Sequence, residues 1–248
     1  MKRHPTCAEL IGTGFFITEI GHFATAKHVL FQNDGKTPEP GLHALHFVEQ
    51  DGEYEKLLVR EITRISFSAT ADVAIGAMDF HIKNETQQPL TNKRPHFNLE
   101  IPANGAHVFT YAYPKSSTFF EKSLMSKVVA DFHNGVILNY SPRARDKVLV
   151  NWPHFELSFE GGGRTSGGPV FDDSGSVVGI YCVDGLGSSY AARVLDLLPL
   201  RVPFWPGSTL EDEPYLAQLI ESGHVACRTR VRTNGEKYVV LAGRSGCA

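Results

Sequence analysis

Along much of the chain, apolar residues recur with the period of two that marks half-buried strands. Segments rich in β-branched and aromatic residues predict strands at 10–17, 42–48, 56–65, 73–78, 106–113, 124–138, 147–152, 169–171, 177–183 and 190–194. Turn formers separate them, among them Asn33-Asp34-Gly35, Gln50-Asp51-Gly52, Asn104-Gly105 and Asp172-Asp173-Ser174-Gly175. Many short strands with regular turns predict an all-β barrel or sandwich. One segment reads differently. Leu210, Tyr215, Leu216, Leu219 and Ile220 form a helical stripe over 209–222, and Gly223 lies just past its end. Beyond it, Asn234-Gly235 separates the runs 225–232 and 237–242 and predicts a hairpin. The stretch from about 84 to 104 holds Pro89, Pro95 and Pro102 and few apolar residues, so it reads as a connection between two units.

Composition narrows the picture. A chain of 248 residues suffices for one large β domain or two small barrels. With 42% hydrophobic and 21% charged residues it belongs with folded globular proteins. A net charge of -3 and the lack of any basic run with interleaved aromatics argue against nucleic acid or an anionic membrane as partner. The start, Met1-Lys2-Arg3, is basic but no apolar signal-peptide core follows it. No segment reaches the roughly 20 apolar residues of a membrane span, so a cytoplasmic protein is expected. Cys7, Cys182, Cys227 and Cys247 lack C-x-x-C spacing, which argues against zinc. Reduced thiols are the expectation, with a Cys227–Cys247 pair across the C-terminal hairpin as the alternative.

Chemistry enters at Gly163-Arg164-Thr165-Ser166-Gly167-Gly168-Pro169-Val170-Phe171. Glycines let backbone approach a bound group and take positive φ, and the proline starts the next strand. A nucleophilic serine needs such a loop, with its Oγ exposed and N–H groups turned toward a developing oxyanion. A glycine-rich hairpin is the plainer reading. No lysine is present for a P-loop. Arg164 stands where an α/β-hydrolase elbow needs glycine. The serine requires a base, and His28 follows the apolar strand that ends in Thr25-Ala26. Among eleven histidines, His22, His43, His46 and His154 read as packing or strand-surface residues. His43 and His46, three apart on a strand, face opposite sides and make no metal pair. Asp72, just before the apolar Val73-Ala74-Ile75, is the acid that would orient the base, or else a turn residue.

The order is His, Asp, Ser, with Asp72 44 residues after His28 and Ser166 94 after Asp72. Together with Gly12-Thr13-Gly14-Phe15-Phe16-Ile17, Thr25-Ala26-Lys27-His28-Val29, Asp72-Val73-Ala74-Ile75, Tyr111-Ala112-Tyr113-Pro114, Ser166-Gly167-Gly168-Pro169-Val170-Phe171 and Val178-Gly179-Ile180, the chain resembles the trypsin-like (chymotrypsin-like) serine peptidases. It is more similar to the bacterial HtrA-type branch, without a PDZ domain, than to the secreted digestive one. The resemblance covers about 10–195.

It implies two six-stranded antiparallel β-barrels with a cleft between them. The first, 1–98, would carry His28 and Asp72, and the second, 99–205, would carry Ser166. A helix-hairpin extension, 206–248, would follow. It implies a serine endopeptidase in which Ser166 attacks a peptide carbonyl, His28 moves the proton and Asp72 holds His28. The N–H groups of Arg164 and Ser166 would form the oxyanion hole. The primary pocket would have Glu160 near its base, Cys182, Val183 and Asp184 along one wall, and Ser189 and Tyr190 opposite. Glu160 and Asp184 would favour Lys or Arg in the substrate. No metal or organic cofactor is implied; the partner is a protein or peptide substrate, with a regulatory protein as a further expectation.

Two positions depart from the family. Arg164 replaces the usual glycine, and Thr165 replaces the aspartate that pairs with a freshly cut N-terminus in zymogens. No activation by N-terminal cleavage is therefore expected. A catalytically silent or conditionally active pseudo-protease that binds peptides or proteins, and an esterase or acyl transferase on the same scaffold, are the other readings. Fluorophosphonate labelling and peptide turnover separate the three.

Overall fold

The computed structural model describes residues 2–4, 7–50, 53–79, 90–120, 124–185, 187–234 and 237–241. In chain order, β1 (Lys2–His4) and β2 (Cys7–Glu9) pair as a ribbon. Next come β3 (Phe15–Phe16), β4 (His22–Thr25), the one-turn helix α1 (Lys27–Leu30), β5 (His43–Gln50), β6 (Glu53–Phe67) and β7 (Ala74–Met78). Strands β3 to β7 form a five-stranded antiparallel sheet in the order β3-β4-β7-β6-β5. After β8 (His107–Ala112) and the hairpin of β9 (Ser117–Phe120) and β10 (Leu124–Lys127) come β11 (Asp131–Ser141), β12 (His154–Leu157), β13 (Pro169–Asp172), β14 (Val177–Asp184) and β15 (Ser189–Arg193). These close a six-stranded barrel in the order β11-β12-β15-β14-β13-β8. The extension holds α2 (Leu216–Glu221) and the hairpin of β16 (Arg230–Asn234) and β17 (Lys237–Leu241). The architecture is the nearly all-β double barrel expected, with the first barrel a curled five-stranded sheet among the described residues. No helix among those residues is long and apolar enough to cross a membrane.

Barrel strand β14 is buried along most of its length, with side chains toward the barrel interior and toward the first sheet. A bulge at Val178, where two residues of β14 oppose one of β13, shifts the alternation. Val178 and Tyr181 therefore both pack inside the barrel with Val108, Ile137, Phe155 and Leu157. Ile180 and Cys182 face a second cluster that runs through the first sheet, the barrel and the extension, from Phe23, Val29 and Ile75 to Leu216 and Val225.

The segment read as a connection is docked, not free. Phe97 is fully buried; its N–H donates to Ala226 O (2.9 Å), and its carbonyl accepts from Arg228 N (2.8 Å). Part of that stretch, through residue 89, lies outside the described residues.

Several element boundaries differ from the apolar pattern. Within 10–17 only Phe15 and Phe16 join a sheet, because Thr13 N–H bonds the Ser166 carbonyl (2.8 Å) instead of a strand neighbour. Strand 147–152 does not form. Asp146 Oδ1 accepts the N–H groups of Val148, Leu149 and Val150 and folds a turn that leaves Val148 81% and Leu149 61% exposed. The strand lies later, at β12. The run 124–138 divides between β10 and β11.

The helix of 209–222 shrinks to α2. Pro214 disfavours helical geometry in Glu213, and Tyr215 is extended at the N-cap. Glu213 is held elsewhere, buried against Arg64 Nη1 (2.8 Å) and accepting Phe204 N–H (2.9 Å). The hairpin of β16 and β17 forms as its Asn-Gly signal predicts. The Cys227–Cys247 pairing lies outside the described residues.

His22 clasps the first sheet to the segment that precedes the extension. It is buried; its Nε2 donates to Pro203 O (2.7 Å), Thr18 Oγ1 donates to its Nδ1 (2.9 Å), and Trp205 stacks on its ring. Burial, only partly offset by the Pro203 bond, lowers its pKa to about 4. The unfolded chain, titrating near 6.5, binds the proton more readily. Stability from this site is therefore full above pH 6.5 and falls by about 3 kcal/mol between 6.5 and 4. Urea melts of wild type and His22→Gln at pH 7 and 4.5 are expected to show the wild-type advantage shrinking on acidification. An advantage independent of pH excludes this role.

Candidate active site

Strand register brings His28 and Asp72 together. Thr25 of β4 faces Ala74 of β7, so the residues just beyond each paired end meet at one rim of the sheet. Asp72 leaves a turn organised by Ser68, whose Oγ accepts the N–H groups of Thr70 (3.2 Å) and Ala71 (3.1 Å). Asp72 Oδ1 accepts His28 N–H (3.0 Å), and its Oδ2 accepts His28 Nδ1–H (2.6 Å). With Nδ1 donating, Nε2 is the ring nitrogen left to act as a base. The Asp72 side chain is nearly buried, whereas His28 exposes 48% of its side chain. Burial by itself would lower the His28 pKa; the Asp72 hydrogen bond and charge outweigh it, and the net shift is upward. Burial likewise works against the Asp72 carboxylate, but the bonds from His28 prevail and hold it below the usual range.

Ser166 sits in the loop between β12 and β13. Its carbonyl accepts from Thr13 N–H, and the next two residues are bonded by Gly167 N–H to Tyr181 O (2.7 Å) and Tyr181 N–H to Gly168 O (2.8 Å). Gly167 has φ 89°, and a Cβ there would lie 2.0 Å from both Thr13 O and Thr25 Oγ1. Gly12 is equally constrained: a Cβ would meet Val29 at 2.6 Å and Ser166 O at 2.9 Å. The glycines of both motifs thus let the first sheet press against the serine loop. Ser166 Oγ donates to Cys182 O (2.7 Å) and forms no hydrogen bond with His28. The N–H groups of Arg164 and Ser166 bond nothing else among the described residues. Arg164 takes φ 71°, as a glycine would. Thr165 is fully buried and donates to Gly161 O (2.7 Å), so this position completes its own bonding without a charged partner.

The residues expected around the pocket lie on neighbouring strands and loops. Ser189 faces Asp184, and Tyr190 faces Val183, across the β14–β15 pair. The Asp184 carboxylate accepts from Tyr181 OH and from Gly161 N–H (3.2 Å). Glu160 is exposed and accepts Gly187 N–H (2.8 Å). Neither carboxylate has a cationic partner among the described residues. Ser189 Oγ donates to Phe159 O (2.6 Å), while the Tyr190 ring lies under the Arg145 guanidinium.

Cys182 does more than line a wall. Its carbonyl receives Ser166 Oγ, and its thiol points at Asp72 O (3.5 Å). Burial, reinforced by the Asp72 charge, pushes this thiol well above its normal pKa, so it stays protonated and unreactive. Thr13 and Thr25 were not singled out from the sequence. Thr25 Oγ1 donates to Thr13 O (2.6 Å), bracing the Gly12–Gly14 segment. Their signals are the Gly12-Thr13-Gly14 motif and the Thr25-Ala26-Lys27-His28 run. A cavity of about 1520 Å³ borders this site without containing the three residues: Phe15, Phe16, Phe109 and Arg164 line it, but His28, Asp72 and Ser166 do not.

The geometry can be set beside known proteins. A trypsin-like peptidase domain model matches residues 12–180, well over half of the chain. The solved structure of Deg5 superposes with a TM-score of 0.51 at 14% identity, covering 76% of this chain and 80% of that one. The active form of the Rv3671c protease from M. tuberculosis gives a TM-score of 0.48 at 18% identity, covering 77% and 72%. No curated protein matches the chain significantly. At such identity the Deg5 likeness speaks for the fold alone, and the domain match carries the relationship. The chain belongs to the trypsin-like peptidase domain family.

Proposed function

We propose that the protein is a serine endopeptidase with His28, Asp72 and Ser166 as its triad. The observation that carries this reading is the two-point grip of Asp72 on His28, at the backbone N–H and at Nδ1, which leaves Nε2 as the base. Ser166 leaves the Cys182 carbonyl by rotation about χ1. Its Oγ then attacks the peptide carbonyl as its proton passes to His28 Nε2. The resulting alkoxide is met by the N–H groups of Arg164 and Ser166. The C–N bond breaks as His28 returns the proton to the leaving amine, and a water, activated by the same base, releases the acyl group. Glu160, Cys182, Val183, Asp184, Ser189 and Tyr190 would hold the side chain preceding the cut. Carboxylates that accept only from neutral donors favour a basic residue there.

One observation favours a second reading, a peptide-binding module that does not cut: Ser166 Oγ rests on Cys182 O and not on His28. Fluorophosphonate labelling separates the two. Wild type is expected to label, and His28→Ala is expected to lose labelling while folding normally. A folded wild type that does not label removes the peptidase reading. In a peptide panel differing only at the cleaved residue, Lys and Arg are expected to lead; preference for small apolar residues removes Glu160 and Asp184 from the pocket.

A further inference from the structure

The loop in front of Ser166 is open at its tip, between the buried Gly161 and Thr165. A Cβ built on Gly162 or Gly163 would meet nothing within 4 Å. Its internal bonds are Thr165 Oγ1 to Gly161 O, Thr165 N–H to Gly162 O (3.3 Å) and Gly168 N–H to Thr165 O (2.9 Å), and Gly161 N–H reaches Tyr181 OH of β14 (2.6 Å). Arg164, between these anchors, takes a left-handed conformation that a residue with a Cβ adopts only when its surroundings compel it.

The Arg164 side chain supplies that compulsion. Nε donates to Leu10 O (3.0 Å), and Nη1 donates to Ser116 O (2.7 Å). The Arg164 carbonyl accepts from Thr13 Oγ1 (2.9 Å), so both side chain and backbone are tied outward. The two carbonyls belong to separate elements. Leu10 follows ribbon strand β2. Ser116 is buried, and its Oγ accepts Val129 N–H (2.8 Å), closing the base of the β9–β10 hairpin. A planar guanidinium with several fixed donors can bridge two carbonyls at once, as an ammonium holds them less rigidly.

We propose that Arg164 is a positioning residue: by clamping the Leu10 and Ser116 carbonyls, its guanidinium holds the turn before Ser166 in the shape that presents the Arg164 and Ser166 N–H groups to the oxyanion. This rests on the peptidase reading. Where the family uses glycine for its conformational freedom, this chain replaces freedom by a fastening. The oxyanion turn is thereby coupled to the N-terminal ribbon and to the hairpin base, at sequence separations of 154 and 48.

The test uses Arg164→Gly, because glycine takes the same φ without strain and loses only the fastening. Arg164→Lys is the conservative companion. Hydrogen exchange of the amides in 161–168 and peptide kinetics are measured on the full chain, with melting curves to verify folding. Exchange in the loop is expected to rise by about tenfold or more in Arg164→Gly. Because the donors act on the transition state, kcat is expected to fall by about 10- to 100-fold with KM little changed. Arg164→Lys is expected to recover part of both. Unchanged exchange in a folded Arg164→Gly overturns the proposal, and so does faster exchange with wild-type kcat. A wild type that neither turns over peptide nor labels at Ser166, with faster loop exchange in Arg164→Gly, overturns the peptidase reading and leaves the fastening standing.

Discussion

Ser166→Ala is expected to lower peptide turnover by about 10⁶-fold and to leave the fold intact. The two effects separate because the serine side chain contributes little to the architecture of its loop. Oγ makes a single hydrogen bond, to Cys182 O, and the net contribution of one such bond is about 1 kcal/mol. The loop is shaped by its backbone: Thr13 N–H on Ser166 O, Gly167 N–H on Tyr181 O, and Gly168 N–H on Thr165 O (2.9 Å). An alanine keeps all three. Loss of a bond worth about 1 kcal/mol would slow turnover by no more than about tenfold, whereas loss of the nucleophile removes covalent catalysis altogether. Steady-state turnover beside thermal melts decides between them. Turnover within tenfold of wild type would falsify the assignment of Ser166 as nucleophile.

The second large effect is expected at Asp72→Asn, where kcat should fall by about 10⁴-fold. The structure supplies the reason in the two jobs of one carboxylate. Oδ1 accepts the His28 backbone N–H while Oδ2 accepts Nδ1–H. An asparagine has one acceptor oxygen and one amide nitrogen that only donates. If its oxygen keeps the backbone N–H, its NH₂ faces Nδ1, which must then accept. The ring proton moves to Nε2, and the base faces Ser166 already protonated. If the amide turns the other way, the backbone N–H meets another donor.

On the proposed reading the same carboxylate sets the acid limb of the rate. His28 must be neutral to act, and its pKa is raised above 6.5. Wild-type kcat/KM is therefore expected to decline as pH falls through a midpoint above 6.5. In Asp72→Asn the cause of the rise is gone, so the midpoint of the residual activity moves down. A pH profile recorded alongside kcat tests both statements, and a midpoint that stays in place in Asp72→Asn removes Asp72 as the partner of His28.

Much of this was legible along the chain because the signals are local. The strand period of β7 follows Asp72 directly, and the Ser166-Gly167-Gly168-Pro169 run combines a turn with the start of β13. Apolar periodicity failed where another group outbid it, whether near in sequence or far. Val148 and Leu149 look like strand residues, yet Asp146 gathers their N–H groups into a turn. The helix of 209–222 keeps only its last part because Pro214 and the buried Arg64–Glu213 pair claim the residues before it.

By itself the sequence determined the all-β class, the hairpin of β16 and β17, and which serine, histidine and aspartate could form a site, since each depends on neighbours a few positions away. Only the tertiary structure decided how Asp72 grips His28, that Ser166 rests on Cys182, and that Arg164 reaches Leu10 and Ser116. These contacts join residues from 16 to 154 positions apart, and no local propensity records a hydrogen bond whose partner is brought in by the packing of the first sheet and the barrel.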